Sequence, residues 1–170
     1  MNRKSFLNNA VLVEGKNDKY LAYRYIYHKL LEKNMKLRVR ELSGKSNILK
    51  LYHESKIREC IIIIDYDSEE NLAWPSRCRN LLDKLKPLSN DRDLTDILYH
   101  VDNEKKCLFI VIRKNLEYWI GKVCNLDPKF LKRNFEKLCN SNDCVNNLLG
   151  KLSNVIVDMY LSVVSRQYLV

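Results

Sequence analysis

The stretch Ile-Ile-Ile-Ile-Asp-Tyr-Asp, residues 61–67, decides the predicted fold. A short run of β-branched residues that ends abruptly in polar ones is typical of a central parallel strand buried on both faces. Two carboxylates, Asp65 and Asp67, follow at the carboxyl end of that strand. Ligands bind at this edge of open α/β sheets, so the sequence places both acids where chemistry is usually done.

The length and composition predict one folded α/β domain with a helical tail. The chain has 170 residues, 46% of them hydrophobic and 30% charged, which is the balance of a folded protein. No uncharged apolar run approaches the roughly 18 residues of a membrane span, and the first residues lack a signal-peptide core. We therefore expect a cytoplasmic protein without a membrane partner.

The net charge of +9 lies entirely in the first third of the chain. Residues 1–58 contain 14 Lys and Arg against 5 Asp and Glu, whereas the remaining residues contain 16 of each sign, from totals of 30 and 21. Such a local surplus indicates either a polyanionic partner, most often nucleic acid, or simply a solvated face.

The six cysteines do not form a metal-binding pattern. No Cys-x-x-Cys pair occurs and no histidines cluster with them, which argues against zinc. Cys60 and Cys107 each begin an apolar strand and are predicted to be small buried residues. Cys139 and Cys144 flank a polar turn and could form a disulfide in an oxidising compartment or a hyperthermophile's cytosol.

Alternation of strands and helices along the chain predicts a parallel sheet with right-handed crossovers. Besides the isoleucine run, we predict strands at residues 10–14, 36–42 (near an edge) and 107–112, and helices at 18–32, 47–56, 76–85, 94–101, 128–138 and from the following turn to about 165. The fold class is thus α/β with a four-stranded parallel sheet. Residues 1–121 would form this domain, and residues 122–170 a helical extension packed on it or on a second subunit, as in a homodimer.

The turn Ser43-Gly44-Lys45-Ser46 invites comparison with a nucleotide-binding P-loop. That motif requires a glycine five positions before Gly44, where Val39 stands inside a predicted strand. The loop is too short to wrap a triphosphate. A glycine turn, a lysine and a helix N-terminus can still hold a single phosphate.

Three carboxylates, Glu14, Asp65 and Asp67, are predicted to share the carboxyl edge of the sheet. Acids gathered in this way repel one another unless a cation or proton intervenes. Since no histidine or thiolate cluster accompanies them, their oxygens favour Mg²⁺ or Mn²⁺. The alternative is that Asp65 and Asp67 only cap a loop.

Two motifs together resemble those of the Toprim domain, which topoisomerases, primases, recombination mediators and certain nucleases share. Val13-Glu14-Gly15-Lys16-Asn17-Asp18 follows one predicted strand, and Asp65-Tyr66-Asp67 follows a later one. The resemblance spans roughly residues 10–117. It implies a Rossmann-like, four-stranded parallel Toprim sheet in which Glu14, Asp65 and Asp67 bind Mg²⁺ or Mn²⁺, with Glu14 also acting in proton transfer.

Within this family the chain is most similar to the overcoming-lysogenization-defect nucleases. The shared features are an acid soon after the Glu-Gly pair, a Gly-Lys turn after the second strand, and a polar-x-Glu sequence after the fourth. They correspond here to Asp18, Gly44-Lys45 and Asn115-Leu116-Glu117. The resemblance implies that Glu117 and Asp18 are further metal ligands, although Asp18 also suits a helix cap. One departure is Glu70, with Glu69 beside it, where many members have glycine.

The leading hypothesis is a standalone, metal-dependent nuclease acting on DNA or RNA. Glu14, Asp65 and Asp67 would be catalytic, together with Lys45, which would hold the phosphate backbone. One alternative is a non-catalytic nucleic-acid-binding module or subunit. A phosphatase with an aspartyl nucleophile ranks last, because that chemistry typically places its Asp-x-Asp after the first strand.

Overall fold

The computed structural model describes residues 7–54, 56–66 and 79–165. Asp67, Glu69, Glu70 and the predicted beginning of the helix at residues 76–85 lie outside these ranges. The described residues form an α/β fold, as the alternating pattern predicted. The strands are β1 (Ala10–Val13), β2 (Arg38–Glu41), β3 (Ile61–Asp65), β4 (Lys86–Pro87), β5 (Ile97–Asp102) and β6 (Cys107–Ile112).

The predicted four-stranded parallel sheet is wrong in detail, because the described strands form a six-stranded mixed sheet in the order β2-β1-β3-β6-β5-β4. The first four strands in this order are parallel, whereas β5 and β4 add antiparallel pairs at one side. The helix predicted at residues 94–101 is mostly β5. Its Ile-Leu-Tyr-His-Val sequence also suits a strand, and antiparallel pairing with β6 across the turn at residues 103–106 stabilises the strand rather than a helix.

The isoleucine strand lies at the centre, as predicted. All four isoleucines of β3 are buried, and the strand pairs in parallel with β1 on one side and β6 on the other. Alternate side chains enter two hydrophobic clusters, Ile61 and Ile63 in one and Ile62 and Ile64 in the other. The edge position predicted for residues 36–42 is also confirmed, since β2 ends the order.

The helices cover both faces of the sheet. One face carries the continuous helix of residues 16–32, with a π-helical segment in its middle, and the helices after β6; the other carries the two helices that flank β3 in sequence. Their bounds are α1 (Lys16–Leu21), the π-helical segment (Ala22–Tyr27), α2 (His28–Glu32), α3 (Lys45–His53), α4 (Arg79–Lys84), α5 (Leu116–Cys124), α6 (Pro128–Arg133), α7 (Phe135–Ser141) and α8 (Asp143–Ser165).

The apolar stripe of α8 packs on the sheet of its own chain. Leu149, Leu152 and Ile156 lie in the same buried cluster as Ile61 and Ile63. The hydroxyl of Tyr160 donates to the carbonyl of Glu59, 3.1 Å away. By length and composition α8 could also cross a membrane, a test that core helices of folded proteins pass as well.

The cysteine pairing differs from the one considered from sequence. Cys144 forms a disulfide with Cys124, 20 residues earlier, rather than with Cys139. Cys139 is a buried free thiol beside the Tyr25 hydroxyl, and burial raises the pKa of that thiol to about 11. Cys60 and Cys107 are buried and free, as predicted. The disulfide joins the end of α5 to the beginning of α8, so it closes a loop around α6 and α7.

Candidate functional site: an acidic cleft at the carboxyl edge of the sheet

Four of the five predicted metal ligands line one cleft of about 550 Å³. They come from the ends of three neighbouring parallel strands and from the helices that follow them. Glu14 and Asp18 follow β1, Asp65 ends β3, and Glu117 follows β6. Asp67, the fifth, lies outside the described residues. The cleft therefore brings together acids as much as 103 positions apart in sequence, Glu14 and Glu117.

The backbone at the end of β3 is tied to the end of β1. The N–H of Asp65 donates to Glu14 Oε1 at 2.6 Å. The two strands are in parallel register at Val13 and Ile63, and this side-chain contact joins them just beyond the last paired residues. Glu14 is thereby held at the mouth of the cleft by the main chain of the residue that carries the next carboxylate.

Glu117 is positioned by a helix cap. The side chain of Asn115 accepts from the N–H of Tyr118 at 2.8 Å, which begins α5 and puts Glu117 in its first turn. The sequence pattern Asn-Leu-Glu thus has a structural reason besides its resemblance to a family motif. The side-chain amide of Asn17 then donates to Glu117 Oε1 at 2.9 Å.

Asp18 is the most unusual carboxylate of the cleft. It is 8% exposed, and its Oδ1 has no hydrogen-bond partner within the part of the chain that the structure describes. Burial, followed by the negative charges of Glu117 and Glu14, raises the pKa of Asp18 to about 8. Asp18 lies in the first turn of α1 and Gly15 is the N-cap of that helix, so Asp18 is not the N-cap residue considered from sequence.

A glycine at position 15 lets the Asp18 carboxylate approach the backbone closely, and its backbone angles are not unusual. Its φ of −135° is ordinary extended backbone, open to any residue. A Cβ added there would stand 3.3 Å from Asp18 Oδ2, which is closer than most Cβ contacts and would require Asp18 to shift slightly. At the turn predicted from the sequence, the Asp18 carboxylate therefore lies close to the backbone of Gly15.

Lys45 lies under the end of β3. It is 5% exposed, and its ammonium donates to the carbonyl oxygens of Asp65 at 3.0 Å and Tyr66 at 3.4 Å. Gly44, with φ of 83°, forms the N-cap that starts α3 and aims this lysine inward. Lys45 therefore fixes the chain where it leaves β3 towards Asp67, and its predicted catalytic role stays a prediction.

Sequence reasoning missed the cationic side of the cleft. Lys16 from α1 and Lys129 and Lys132 from α6 line it together with the acids. The carbonyl of Lys132 also accepts from Asn17 at 3.3 Å. The local charge count pointed only to the first third of the chain, so it could not reveal that the helical extension contributes two of these lysines.

The donor set fits a hard divalent cation. Its polar atoms are carboxylate oxygens, and one buried oxygen of Asp18 lacks a partner among the described residues, a combination that a cation would satisfy. As placed, no three His, Cys, Asp or Glu side chains of the described ranges already form a metal-binding group. Glu14, Asp18, Asp65 and Glu117 are the residues that would hold such an ion.

The fold and the cleft define an α/β protein with acids at the carboxyl edge of its parallel strands and lysines around them. Comparisons with models of protein families, with curated proteins and with solved structures returned no match. Inference about function therefore starts from the residues of the cleft.

Proposed function

We propose that this chain is a Toprim-like nuclease that hydrolyses phosphodiester bonds in DNA or RNA with Mg²⁺ or Mn²⁺. The observation that carries the proposal is the buried Asp18 carboxylate, whose Oδ1 lacks a hydrogen-bond partner among the described residues beside Glu14 and Glu117. At neutral pH this arrangement costs free energy unless a proton or a cation compensates it. A divalent cation in the cleft would also bind the phosphate oxygens of a substrate that the lysines of the cleft attract.

The acids and lysines would have separate tasks. Glu14, Asp18, Asp65 and Glu117, with Asp67, would bind the metal ions. When bound, such ions shield the phosphodiester and lower the pKa of a water molecule. Lys16, Lys129 and Lys132 would hold the phosphates on either side of the bond. Glu14, fixed by the Asp65 N–H, is the residue proposed to take a proton from the attacking water.

The test is a cleavage screen over labelled single- and double-stranded DNA and RNA with each metal. We expect cleavage by the purified chain, and a loss of roughly a hundredfold in rate for Asp18→Asn or Asp65→Ala. Asp158→Asn is the matched control, because Asp158 lines a different groove between β5 and α8. Absence of cleavage with both metals, or full activity of Asp65→Ala, would refute the nuclease.

The same variants separate the nuclease from a non-catalytic nucleic-acid-binding module. Such a module would bind nucleic acid with an affinity that falls as salt rises, and this binding would survive the loss of both aspartates. A gel shift retained in Asp18→Asn and Asp65→Ala, without cleavage by the unaltered protein, would favour that alternative.

A further inference from the structure

A second groove, of about 510 Å³, lies beside the acidic cleft on the outer face of the helix of residues 16–32. We call it the tyrosine groove, and its principal residues are Lys16, Lys19, Tyr20, Tyr23, Arg24 and His28. Lys16 lines both the groove and the cleft, so the two are adjacent. Anything bound in the groove can therefore extend towards the carboxylates.

Tyr23 offers an open aromatic surface in this groove. It is 52% exposed, and its ring stacks on that of Tyr27 with centroids 5.2 Å apart and an interplanar angle of 23°. By contrast Tyr25, on the same helix, is buried and donates to Asn146 Oδ1 at 2.8 Å. Of the four tyrosines on this helix, Tyr25 packs in the core and Tyr20 packs against it, whereas core packing does not explain the stacked pair at the surface.

The charge of the groove fits a polyanion. Lys16, Lys19 and Arg24 are cationic, and Glu136 is the acid among the lining residues. Arg24 is oriented by hydrogen bonds to the Tyr20 hydroxyl, 3.1 Å away, and to Asn140 Oδ1. A groove that combines oriented cations with an exposed aromatic ring has the two elements by which proteins hold nucleic acid single strands.

We propose that the tyrosine groove binds single-stranded nucleic acid and guides it into the acidic cleft. This inference rests on the proposed nuclease function. An unpaired base can stack on the exposed face of Tyr23, whereas the bases of a duplex are already stacked on each other. Lys16 and Tyr23 are seven positions apart, or about 10 Å along a helix, so a base on Tyr23 lies only a short stretch of backbone from the cleft.

The experiment measures fluorescence anisotropy with labelled oligo(dT), oligo(U), an abasic strand and a duplex of equal length, in EDTA so that cleavage is absent. We expect Tyr23→Ala to weaken binding of oligo(dT) and oligo(U) about tenfold, with little effect on the abasic strand, and Tyr23→Phe to restore binding. Lys19→Ala should weaken all strands and reduce the salt slope by roughly 0.7.

Two positions outside the groove serve as controls, one on the same helix and one directly after its end. Leu31 is 40% exposed and Lys33 is exposed, and their replacement by alanine should leave binding unchanged. Failure of the unaltered chain to bind oligo(dT), unchanged binding by Tyr23→Ala, or an equal loss on abasic strand and duplex would overturn the inference. So would a self-association that Tyr23→Ala abolishes without changing oligonucleotide affinity, because the groove would then be a protein interface.

These outcomes are distinguishable from those of the cleavage screen. Cleavage that depends on Asp18, with oligo(dT) binding indifferent to Tyr23, would refute the groove and leave the nuclease standing. Binding that depends on Tyr23, without cleavage with either metal, would refute the nuclease and support the groove as a binding surface.

Discussion

The side-chain amide of Asn17 donates to Glu117 Oε1 at 2.9 Å, which ties the first turn of α1 to the first turn of α5 across 100 residues of sequence. These two turns carry two of the acids of the cleft, Asp18 and Glu117. One neutral amide therefore holds the two sides of the cleft in place while leaving the number of negative charges unchanged.

Replacing Asn17 should loosen the cleft. Asn17→Ala removes a donor to a partly buried carboxylate, so we expect a loss of about 1–2 kcal/mol in the free energy of unfolding. Asn17→Asp should cost more in metal-free protein, because it replaces the donor to Glu117 by a second carboxylate beside that residue. Urea denaturation in EDTA measures both, and Asn47→Ala is the comparison, because the exposed Asn47 amide donates to nearby Ser43 and not across the cleft. Equal stability of the two Asn17 variants would contradict the electrostatic argument.

The buried Asp18 predicts that metal-free protein loses stability as pH rises. Because the pKa of Asp18 is raised from 3.8 to about 8 on folding, the folded state keeps a proton that the unfolded chain releases between these values. This contribution is complete below about pH 4 and is lost as pH approaches 8. Urea denaturation in EDTA at pH 4, 6 and 8 measures this effect. The free energy of unfolding of Asp18→Asn, relative to that of the unaltered protein, should increase by at least about 1 kcal/mol as pH rises.

A control of opposite sign is Asp91. The N–H of Asp93 and the ammonium of Lys151 lower the pKa of Asp91, so its contribution is present at neutral pH and lost as pH falls. Asp91→Asn should accordingly lose stability at neutral pH and match the unaltered protein in acid. A pH-independent difference for Asp18→Asn would count against the raised pKa.

Two glycines should respond to alanine in opposite directions. Gly44 has a φ of 83° and a ψ of 147°, a conformation that is essentially confined to glycine, so Gly44→Ala should cost about 1–3 kcal/mol. Gly150 lies inside α8, and nothing stands within 4 Å of a Cβ added there. Gly150→Ala should therefore stabilise by about 0.5–1 kcal/mol. Thermal melting of the two variants compares them, and a harmless Gly44→Ala would be inconsistent with the positive φ.

Reduction of the Cys124–Cys144 disulfide should destabilise the fold. The bond closes a loop of about 20 residues, for which the chain-entropy model gives roughly 3 kcal/mol. Urea unfolding with and without dithiothreitol measures the loss, starting from protein purified without reductant so that the disulfide is not reduced during purification. The double variant Cys124→Ala/Cys144→Ala should be insensitive to the reductant. Detection of six free thiols in the unreduced, denatured protein would rule the bond out.

Strong local patterns were sufficient for part of the fold. The isoleucine run identified β3 and its central place, because a short, continuous run of β-branched residues is typical of a strand covered on both faces. Glu14 and Asp65 were found because they follow strands whose carboxyl ends meet at one edge, whereas Asp18 and Glu117 were found through the resemblance to a nuclease family. The predicted roles of these residues still await experiment.

Features that depend on tertiary contacts could not be predicted from local patterns. Residues 97–102 are apolar enough for a helix or a strand, and only pairing with β6 makes them β5. The burial of Lys45 depends on packing under β3, and the pairing of Cys144 on the path of α6 and α7. The lysines of α6 also reach the cleft through tertiary packing, and no local sequence pattern indicates that they lie near Glu14 or Asp65.

Because α6 contributes side chains to the cleft, the chain cannot be divided before α6 without changing the cleft. The predicted boundary at residue 121 separates Glu14, Asp65 and Glu117 from Lys129 and Lys132, which line the same cleft. A fragment ending there would keep the acids and lose two of the cations that balance them. Grafting a different helical tail onto this sheet would therefore be a way to retune which anions enter, with the carboxylates themselves untouched.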